Sequence, residues 1–420
     1  MTASPSIVAR PARLGNLEFV VLMAMIQALQ ALAVDSMLPA LGQMSVDLHV
    51  ANPNQRQLVV GVFLICAGLG SLIPGTLADR FGRRRALFFC LSSYVTLTTA
   101  CALATDFPLL LGARALLGLA CSGLMVLPAT IIRDRLEGDA MARMQSTVAM
   151  VFMIVPMLAP SVGQAVLAVA GWRWIFGMMA VLGLAVAGWA FVRLPETLRP
   201  EFRQSIVPLQ ILRTMIHVVT LREAFGYVFA MAGVQGAMFA YINSSQQLVA
   251  EHFGAGARFP LIFAGMAAMM ASANFVNSRI VERFGARRVS HTALLIAIVT
   301  SLTQLALASR PGETLWQFVP VMTVNMCMLG FLGANFSSIA LQPFARNAGA
   351  AASGQSFVRM VLAAGLGSLV GQAYDGTARP LAMTLVGTAV VGLALVLVSE
   401  RGRLFRRVLP PGSRREMGFS

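Results

Sequence analysis

The stretch "GTLADRFGRRRAL" (Gly75–Leu87) lies between two long apolar segments, and a related stretch appears much later in the chain. The later copy, "VERFGARRVS" at 281–290, shares the Arg-Phe-Gly step and the Arg pair at an offset of 203 residues. Two copies of one loop, each following an apolar segment, indicate a duplicated set of helices. A parallel repeat of this kind predicts two similar halves with a substrate cavity between them near mid-membrane.

The composition assigns the chain to membrane proteins. Of its 420 residues 57% are hydrophobic and only 12% are charged, which is too few for the surface of a soluble protein of this size. A spanning helix needs roughly 20 apolar residues. We therefore predict an all-α membrane protein with twelve transmembrane helices, at 16–40, 55–78, 84–105, 107–132, 141–168, 171–194, 223–249, 258–280, 286–308, 316–341, 349–374 and 379–400.

The arginines predict the orientation of these helices. With both termini in the cytoplasm, 25 of the 32 basic residues fall in cytoplasmic segments, five fall outside and two lie within spans. Such a bias is the positive-inside pattern, and it accounts for the net charge of +15 without a nucleic-acid partner. We expect a multi-pass protein of the bacterial inner membrane, in contact with anionic lipid headgroups and monomeric.

The two halves are predicted to be joined by a cytoplasmic linker. The first six helices occupy residues 1–192, and the second six occupy 223–420, which end in a basic cytoplasmic tail. Residues 193–222 contain three prolines, and parts of the stretch are amphipathic. We expect this linker to lie along the membrane surface.

One carboxylate interrupts the first apolar run. In "QALQALAVDSMLPALG" (Gln27–Gly42), Asp35 lies among apolar residues about five residues before the predicted outer end of helix 1. Loss of water penalises the ionised form of a carboxylate, so such a residue can bind and release a proton as its surroundings change. This predicts a role for Asp35 in proton coupling, with Gln27 two turns earlier as a further polar group. The alternative is a structural or capping role near the interface, since Pro39 follows closely.

Helix 4 carries a second intramembrane charge. Arg114 costs at least about 2.5 kcal/mol if it faces lipid, so it must face the bundle interior, a cavity or a partner. It is predicted about seven residues after the outer start of its helix, at a depth similar to that of Asp35. Arg114 is a candidate for proton or substrate binding; the alternative is a structural counter-ion.

The quoted loop is similar to the loop 2–3 signature of the major facilitator superfamily. Five further stretches, "DSMLPAL", "PMLAPSVGQ", "GWRWIF", "LPETL" and "YINSSQQLVAEHFG", occur in the order seen in its Bcr/CflA branch of drug:proton antiporters, which they resemble. The resemblance implies export of small amphipathic drugs in exchange for protons by alternating access. It also links Asp35 to the handling of protons or cationic substrate.

The resemblance further implies two groups of conformational residues. The loop 2–3 signature implies a latch, in which Gly75 lets helix 2 approach a neighbour and Asp79 engages an arginine or a helix terminus. The helix 5 pattern implies a bend that seals one face, although Gly163-Gln164 stands where the family often has paired glycines. The residues concerned are Gly75, Asp79, Arg80, Gly82, Arg83 and Arg84 in the loop, and Pro156, Pro160 and Gly163 in helix 5.

Other polar residues within spans are weaker candidates for the cavity. Each is equally compatible with bonding between helices and with touching substrate, and the 25 methionines suit an adaptable apolar pocket. These candidates are Tyr241, Asn243, Asn335 and Arg359.

Other classes of function lack a signal in the sequence. There is no Gly-x-x-x-x-Gly-Lys nucleotide loop, and no His-Glu-x-x-His or Gly-x-Ser-x-Gly motif. We therefore expect a transporter that is not an enzyme and that uses no cofactor or metal. Two alternatives remain open: an exporter of an endogenous metabolite, such as a sugar, amino acid or siderophore, and a uniporter of the same fold.

Overall fold

The computed structural model describes residues 15–136, 138–198 and 220–405. Over these ranges the chain is almost entirely helical and contains no β-strand. Most of the predicted linker, and the ends of the chain before 15 and after 405, lie outside the described residues. The bundle consists of two six-span halves, one before residue 198 and one after residue 220.

The first half contains the six predicted spans 1–6, two of which are split into two helices. Its helices are α1 (Asn16–Asp35), α2 (Leu41–Asp47), α3 (Leu58–Gly70), α4 (Ile73–Phe81), α5 (Arg83–Ala102), α6 (Phe107–Arg135), α7 (Gly138–Ala170) and α8 (Trp172–Arg193).

The second half contains one long helix for each of the predicted spans 7–12. Its helices are α9 (Arg222–Gln246), α10 (Phe259–Phe284), α11 (Ala286–Ala308), α12 (Leu315–Leu341), α13 (Ala348–Gln372) and α14 (Arg379–Ser399). A π-helical turn, Gln247–His252, extends α9.

The outward surface is that of a membrane protein. In the described ranges, ten helical stretches are long and apolar enough to cross a membrane, and the bent pair α3–α4 gives an eleventh. Helix α13 occupies the place of the remaining predicted span. Large apolar side chains such as Leu261 and Val192 are about three-quarters exposed, which suits a lipid-facing belt.

The first span is longer than predicted, and it is broken at Asp35. After Asp35 the span continues through a 3₁₀ turn, Leu38–Ala40, into α2. It ends at Asp47 and not at residue 40 as predicted. Pro39 explains the break, because it has no N–H to donate to the carbonyl of Asp35 four residues earlier. Asp35 therefore lies at an internal break of the span and not about five residues from its end.

The second span bends by 44° between Gly70 and Ile73. Pro74 stands at the start of α4, where its missing N–H would have bonded the carbonyl of Gly70. The bend therefore lies one short helix, α4, before the duplicated loop.

The repeat seen in the sequence is also present in the backbone. Gly82 joins α4 to α5 with φ +100° and ψ 150°, and Gly285 joins α10 to α11 with φ +84° and ψ 147°. These values lie in a region that favours glycine. The two copies of the loop therefore turn in the same way, and they place the arginine clusters of both halves at one end of the bundle, called here the basic end.

The halves meet along two helix pairs, α3 with α13 and α7 with α10. On α3, a Cβ added to Gly68 would lie 3.1 Å from the backbone nitrogen of Val361, so these two helices approach closely. The space between the halves is thus bounded at its sides by these pairs.

Candidate transport site

Asp35 is a buried acid with no partner among the described residues. The residue is 6% exposed, and among the residues that the structure describes no hydrogen bond or ion pair reaches its carboxylate. The neighbouring Ser36 hydroxyl donates to the carbonyl of Leu32 at 2.6 Å instead. A capping role, the structural alternative for Asp35, has no hydrogen bond to support it in this part of the chain.

Arg114 lies in α6 and is fully buried. Its Nε donates to the carbonyl of Val59 and its Nη1 to the carbonyl of Ala33, both at 2.9 Å. The guanidinium also lies 4.3 Å from the ring centroid of Phe63, within the range of a cation–π contact. Arg114 thereby ties α6 to α1 and α3.

Asp35 and Arg114 share a region but are not an ion pair. Arg114 reaches the backbone of α1 at Ala33, two residues before Asp35, and no ion pair between the two side chains occurs among the described residues. The sequence left open whether the two residues face each other. In this conformation the Arg114 guanidinium donates to backbone carbonyls. It does not compensate a negative charge on Asp35.

A cavity of about 670 Å³ lies in the second half, between α9, α10 and α12. It extends as far as Val281 on α10 and Ser337 on α12, close to the basic end of both helices. The described lining includes neither Asp35 nor Arg114. Its larger apolar and amide side chains are Met231, Val234, Met238, Met270 and Leu329, and Gln235, Asn274, Asn277 and Asn335.

Two predicted residues contribute to this cavity. Asn335 lines it and donates to the side-chain oxygen of Asn277 at 2.9 Å, which joins α12 to α10. Arg359, on α13, donates from Nη1 to Oε1 of the lining residue Gln235 at 3.0 Å. The structure thus brings these two candidates to one cavity.

Three other predicted residues lie away from the described cavity lining. Tyr241 is buried, and its hydroxyl contacts the sulfur of Met266 at 3.0 Å. Asn243 is fully buried, and its side-chain amide has no partner among the described residues. Gln27 is half-buried on α1. Their proposed part in binding remains a prediction.

Sequence reasoning missed several cavity residues that a helical-face count could have found. On α9, Met231, Val234, Gln235 and Met238 follow an i, i+3, i+4, i+7 spacing, which places them on one face. Ser278 on α10 belongs to a similar face. The available signal was therefore the shared face of polar and methionine residues, not any single residue.

The halves are tied together at the end opposite the basic end, called here the Arg56 end. Arg56 forms an ion pair with Glu251 at 2.7 Å, from the start of the second span to the π-helical turn after α9. Asn54 donates to the carbonyl of Tyr374 at 2.7 Å and accepts from Gln247 at 3.2 Å. Between described residues, all hydrogen bonds and ion pairs that join the halves lie here. The bundle is closed at the Arg56 end.

The basic end of the first half holds the latch residues implied by the sequence. Arg83 bonds Asp79 at 2.6 Å and Asp134 at 2.8 Å, and its side chain is 4% exposed. The carboxylate of Glu196 accepts from the backbone N–H groups of Arg83 and Arg84 at the start of α5. These bonds join the loop to α6 and to the segment after α8, both within the first half.

Other loop residues differ in their contacts. Arg80 is exposed and lies over the ring of Phe81 at 5.2 Å. Gly75 makes no close approach in this conformation, since an added Cβ would meet only Val126, at 3.9 Å. Gly82 is required for its backbone angles and because a Cβ there would overlap the Glu196 carboxylate.

Helix α7 contains the residues of the implied antiporter motif. It runs as one helix from Gly138 to Ala170 through Pro156 and Pro160. Gly163 packs directly on the carbonyl of Ser36, and a Cβ at position 163 would overlap that oxygen. Gly163 therefore lets α7 pack directly against the break in the first span, and the sealing role of the motif remains a prediction.

Sequence comparison places these features in a known group. Residues 23–372 match the sequence model of the Major Facilitator Superfamily. The chain is 27% identical over 382 residues to an uncharacterized MFS-type transporter, YdgK, of Bacillus subtilis, covering 88% of this chain and 92% of the relative. It is also 27% identical over 393 residues to a bicyclomycin resistance protein homolog of Haemophilus influenzae, covering 91% and 96%.

The fold is shared with solved structures at lower identity. A bacterial homolog of the human lysosomal transporter Spinster, in its inward-facing and occupied conformation, superposes with a TM-score of 0.72 at 16% identity. The match covers 93% of this chain and 98% of that one.

Two six-span halves, with a cavity in the second, define a secondary membrane transporter and not an enzyme. The match over residues 23–372 shows that the chain belongs to the Major Facilitator Superfamily. This match confirms the sequence-based resemblance to the superfamily. The resemblance to its Bcr/CflA branch agrees with the bicyclomycin resistance protein homolog among the relatives, at 27% identity.

Proposed function

We propose that the protein is a proton-coupled exporter of small amphipathic compounds in the bacterial inner membrane. The observation that carries the proposal is Asp35: a carboxylate at a break in the first span, 6% exposed and without a partner among the described residues. An ionised carboxylate in such a place has lost water without gaining a cation or a donor. We infer that Asp35 holds a proton in this conformation.

The break gives Asp35 a route to change its surroundings. Gly163 of α7 packs on Ser36, next to the acid, so a shift of α7 relative to α1 would admit water at this point. Hydrated, the carboxylate is stable in its ionised form and releases its proton. Proton release would in this way accompany the conformational change that moves cargo.

The direction of transport follows from the two ends of the bundle. The Arg56 end is closed by bonds between the halves, whereas the cavity extends toward the basic end. The arginine bias favours a cytoplasmic basic end. The conformation is then one that loads cargo from the cytoplasm, and opening of the Arg56 end would release it outside.

Drug-like compounds are the class of cargo that the cavity and the relatives favour. A volume of about 670 Å³ suits a drug-sized molecule, and methionines on α9 and α10 can adapt to different shapes. One relative is named as a bicyclomycin resistance protein homolog.

The test begins with a susceptibility panel in a bacterial strain that lacks its main efflux pumps. Expression of the wild-type chain is expected to raise the inhibitory concentration of at least one compound. That compound is then followed in proteoliposomes under an imposed pH gradient. Asp35→Asn is expected to abolish transport driven by the gradient while the protein still inserts and folds, because an amide cannot exchange a proton.

Asp47→Asn is the matched control, since Asp47 lies in the same span but is exposed and accepts from the indole of Trp172 at 2.8 Å. It is expected to retain gradient-driven transport. Gradient-driven export by Asp35→Asn at the wild-type rate would refute the role of Asp35. Wild-type transport that ignores the pH gradient would indicate a uniporter instead.

A further inference from the structure

The cavity in the second half is lined mainly by apolar residues, with six polar side chains and no acid in its described lining. Its polar side chains are the amides Gln235, Asn274, Asn277 and Asn335 and two serines, and the rest are apolar or glycine. A cationic cargo would therefore meet no carboxylate on these walls. The charged side chain that bonds one of these walls is a positive one, Arg359.

Arg359 lies inside the bundle and not on its lipid-facing side. Its neighbour Met360 packs on Gly68 of α3, while the Arg359 guanidinium bonds Gln235 of α9. Helix α13 is thus held between α3 of the first half and α9 of the second, and Arg359 points from it to the cavity wall.

Most of the donors of Arg359 have no acceptor among the residues that the structure describes. The guanidinium carries five N–H donors, and within the described ranges its one hydrogen bond is that from Nη1 to Gln235 Oε1. No carboxylate pairs with it there. A charge within a membrane span is costly, and one that keeps free donors beside a cavity is suited to bind a ligand.

We propose that Arg359 and Gln235 form the polar end of the cargo site and bind the anionic group of an amphipathic organic anion, such as an aromatic carboxylate. This inference rests on the proposed function, because it assumes that the cavity holds cargo. It adds a substrate class, which the transport role alone does not specify.

The chemistry of the pair fits a carboxylate. The planar guanidinium matches a carboxylate with two parallel N–H donors. Gln235 uses its Oε1 to accept from Arg359, so its amide N–H groups remain available to the same ligand. Beyond this polar end, Met231, Met238 and Met270 offer an apolar wall for the body of the molecule.

The experiment uses three probes of one shape and different charge: 1-naphthoate, 1-naphthamide and 1-naphthylmethylammonium. Their binding to the purified full-length protein in detergent is measured by equilibrium dialysis, with empty micelles as the blank. We expect the wild-type chain to bind the anion about tenfold or more tightly than the cation, as charge-assisted hydrogen bonds would give. Arg359→Gln is expected to remove this preference and to keep binding of the neutral amide.

Two further variants complete the test. Arg359→Lys keeps the charge without the planar fork and is expected to retain part of the preference. Arg310→Gln, which removes an exposed arginine from a loop, is expected to retain all of it. If Arg359→Gln no longer binds the neutral amide either, that variant has lost the site as a whole. The preference of Arg359→Lys for the anion over the cation then decides the outcome.

Three results would overturn the inference: no binding of the anion by the wild-type chain, equal or tighter binding of the cation, and an unchanged preference in Arg359→Gln. The measurement needs no proton gradient. A failure of proton coupling, seen with Asp35→Asn, would therefore leave this result standing, and a failure here would leave the coupling result standing.

Discussion

Two arginines lie within the predicted spans, and the structure places them in opposite surroundings. Arg114 is fully buried, with two carbonyls and an aromatic ring around its guanidinium. Arg359 is half-buried, and within the described ranges it makes a single hydrogen bond, to a side chain of the cavity wall. The same residue type is thus enclosed by backbone in one half and left open beside a cavity in the other.

The difference shows how an intramembrane arginine can be interpreted from its contacts. Where carbonyls and a ring enclose the guanidinium away from the described cavity lining, as at Arg114, the charge holds helices together, although Nη2 of Arg114 has no partner among the described residues. Where donors remain free next to open space, the charge is available to a ligand. We therefore favour a structural role for Arg114, the alternative left open by the sequence, and a binding role for Arg359.

The largest expected effect tests this division directly. Arg114→Ala removes a fully buried side chain with two hydrogen bonds, so we expect it to lower the free energy of unfolding by about 3 kcal/mol. Arg359→Ala, the matched change, is expected to lower it by less than about 1 kcal/mol. Denaturant unfolding of both purified variants in the same detergent measures the two values.

Arg114→Ala is also expected to impair transport, because less folded protein reaches the membrane. Transport per folded molecule separates the roles: it should stay near the wild-type value in Arg114→Ala and fall in Arg359→Ala. Equal losses of stability in the two variants would remove the distinction between the two arginines.

A smaller effect is expected when a glycine-to-alanine change adds one methyl group to the first half or to the second half. Gly163→Ala would overlap the carbonyl of Ser36, so we expect the first half to lose about 2 kcal/mol of unfolding free energy. Gly333 lines the cavity and has nothing within 4 Å of an added Cβ. Gly333→Ala should therefore leave stability unchanged or raise it slightly, since alanine favours a helix.

Thermal unfolding of the two glycine variants measures this contrast. A loss in Gly333→Ala as large as that in Gly163→Ala would mean that the cavity wall is as tightly packed as the break at Asp35. The conclusion that the first half is tightly packed at this point and the second half is open at its cavity would then be wrong.

The sequence predicted the helices well because membrane spans carry a local signal. Length, hydropathy and arginine bias act within about 20 residues, so each predicted span contains a helix. The repeat was equally readable, because Gly82 and Gly285 need the same unusual backbone angles. The end of the first span was missed because apolar residues continue across the break that Pro39 introduces.

The cavity was harder to predict because its walls come from distant parts of the chain. Asn335 and Arg359 were recognised as polar residues within spans, but Gln235, which connects Arg359 to the cavity, was not. The pairing of Arg56 with Glu251 was also missed, since both lie at the predicted ends of spans, where charged residues are common. Contacts between halves depend on how the halves dock, and no local pattern carries that information.

The smallest expected effect concerns a third arginine, Arg56, whose bonds must break during transport. Like Arg114 it is buried, with a side chain that is 7% exposed, but its partner Glu251 is 44% exposed and lies in the other half. Water therefore weakens the ion pair. We expect the pair to stabilise the conformation in which the Arg56 end is closed by about 1 kcal/mol. Arg56→Gln should raise the open population roughly fivefold. The measurement is the labelling rate of a cysteine at position 57, a buried site whose glutamine side chain has no described hydrogen bond, in a chain whose five native cysteines are replaced by alanine. The control is Arg310→Gln in the same background, which removes an exposed arginine from a loop predicted on the same side. Equal labelling rates in the two variants would show that the Asn54 and Gln372 bonds close this end without help from the ion pair.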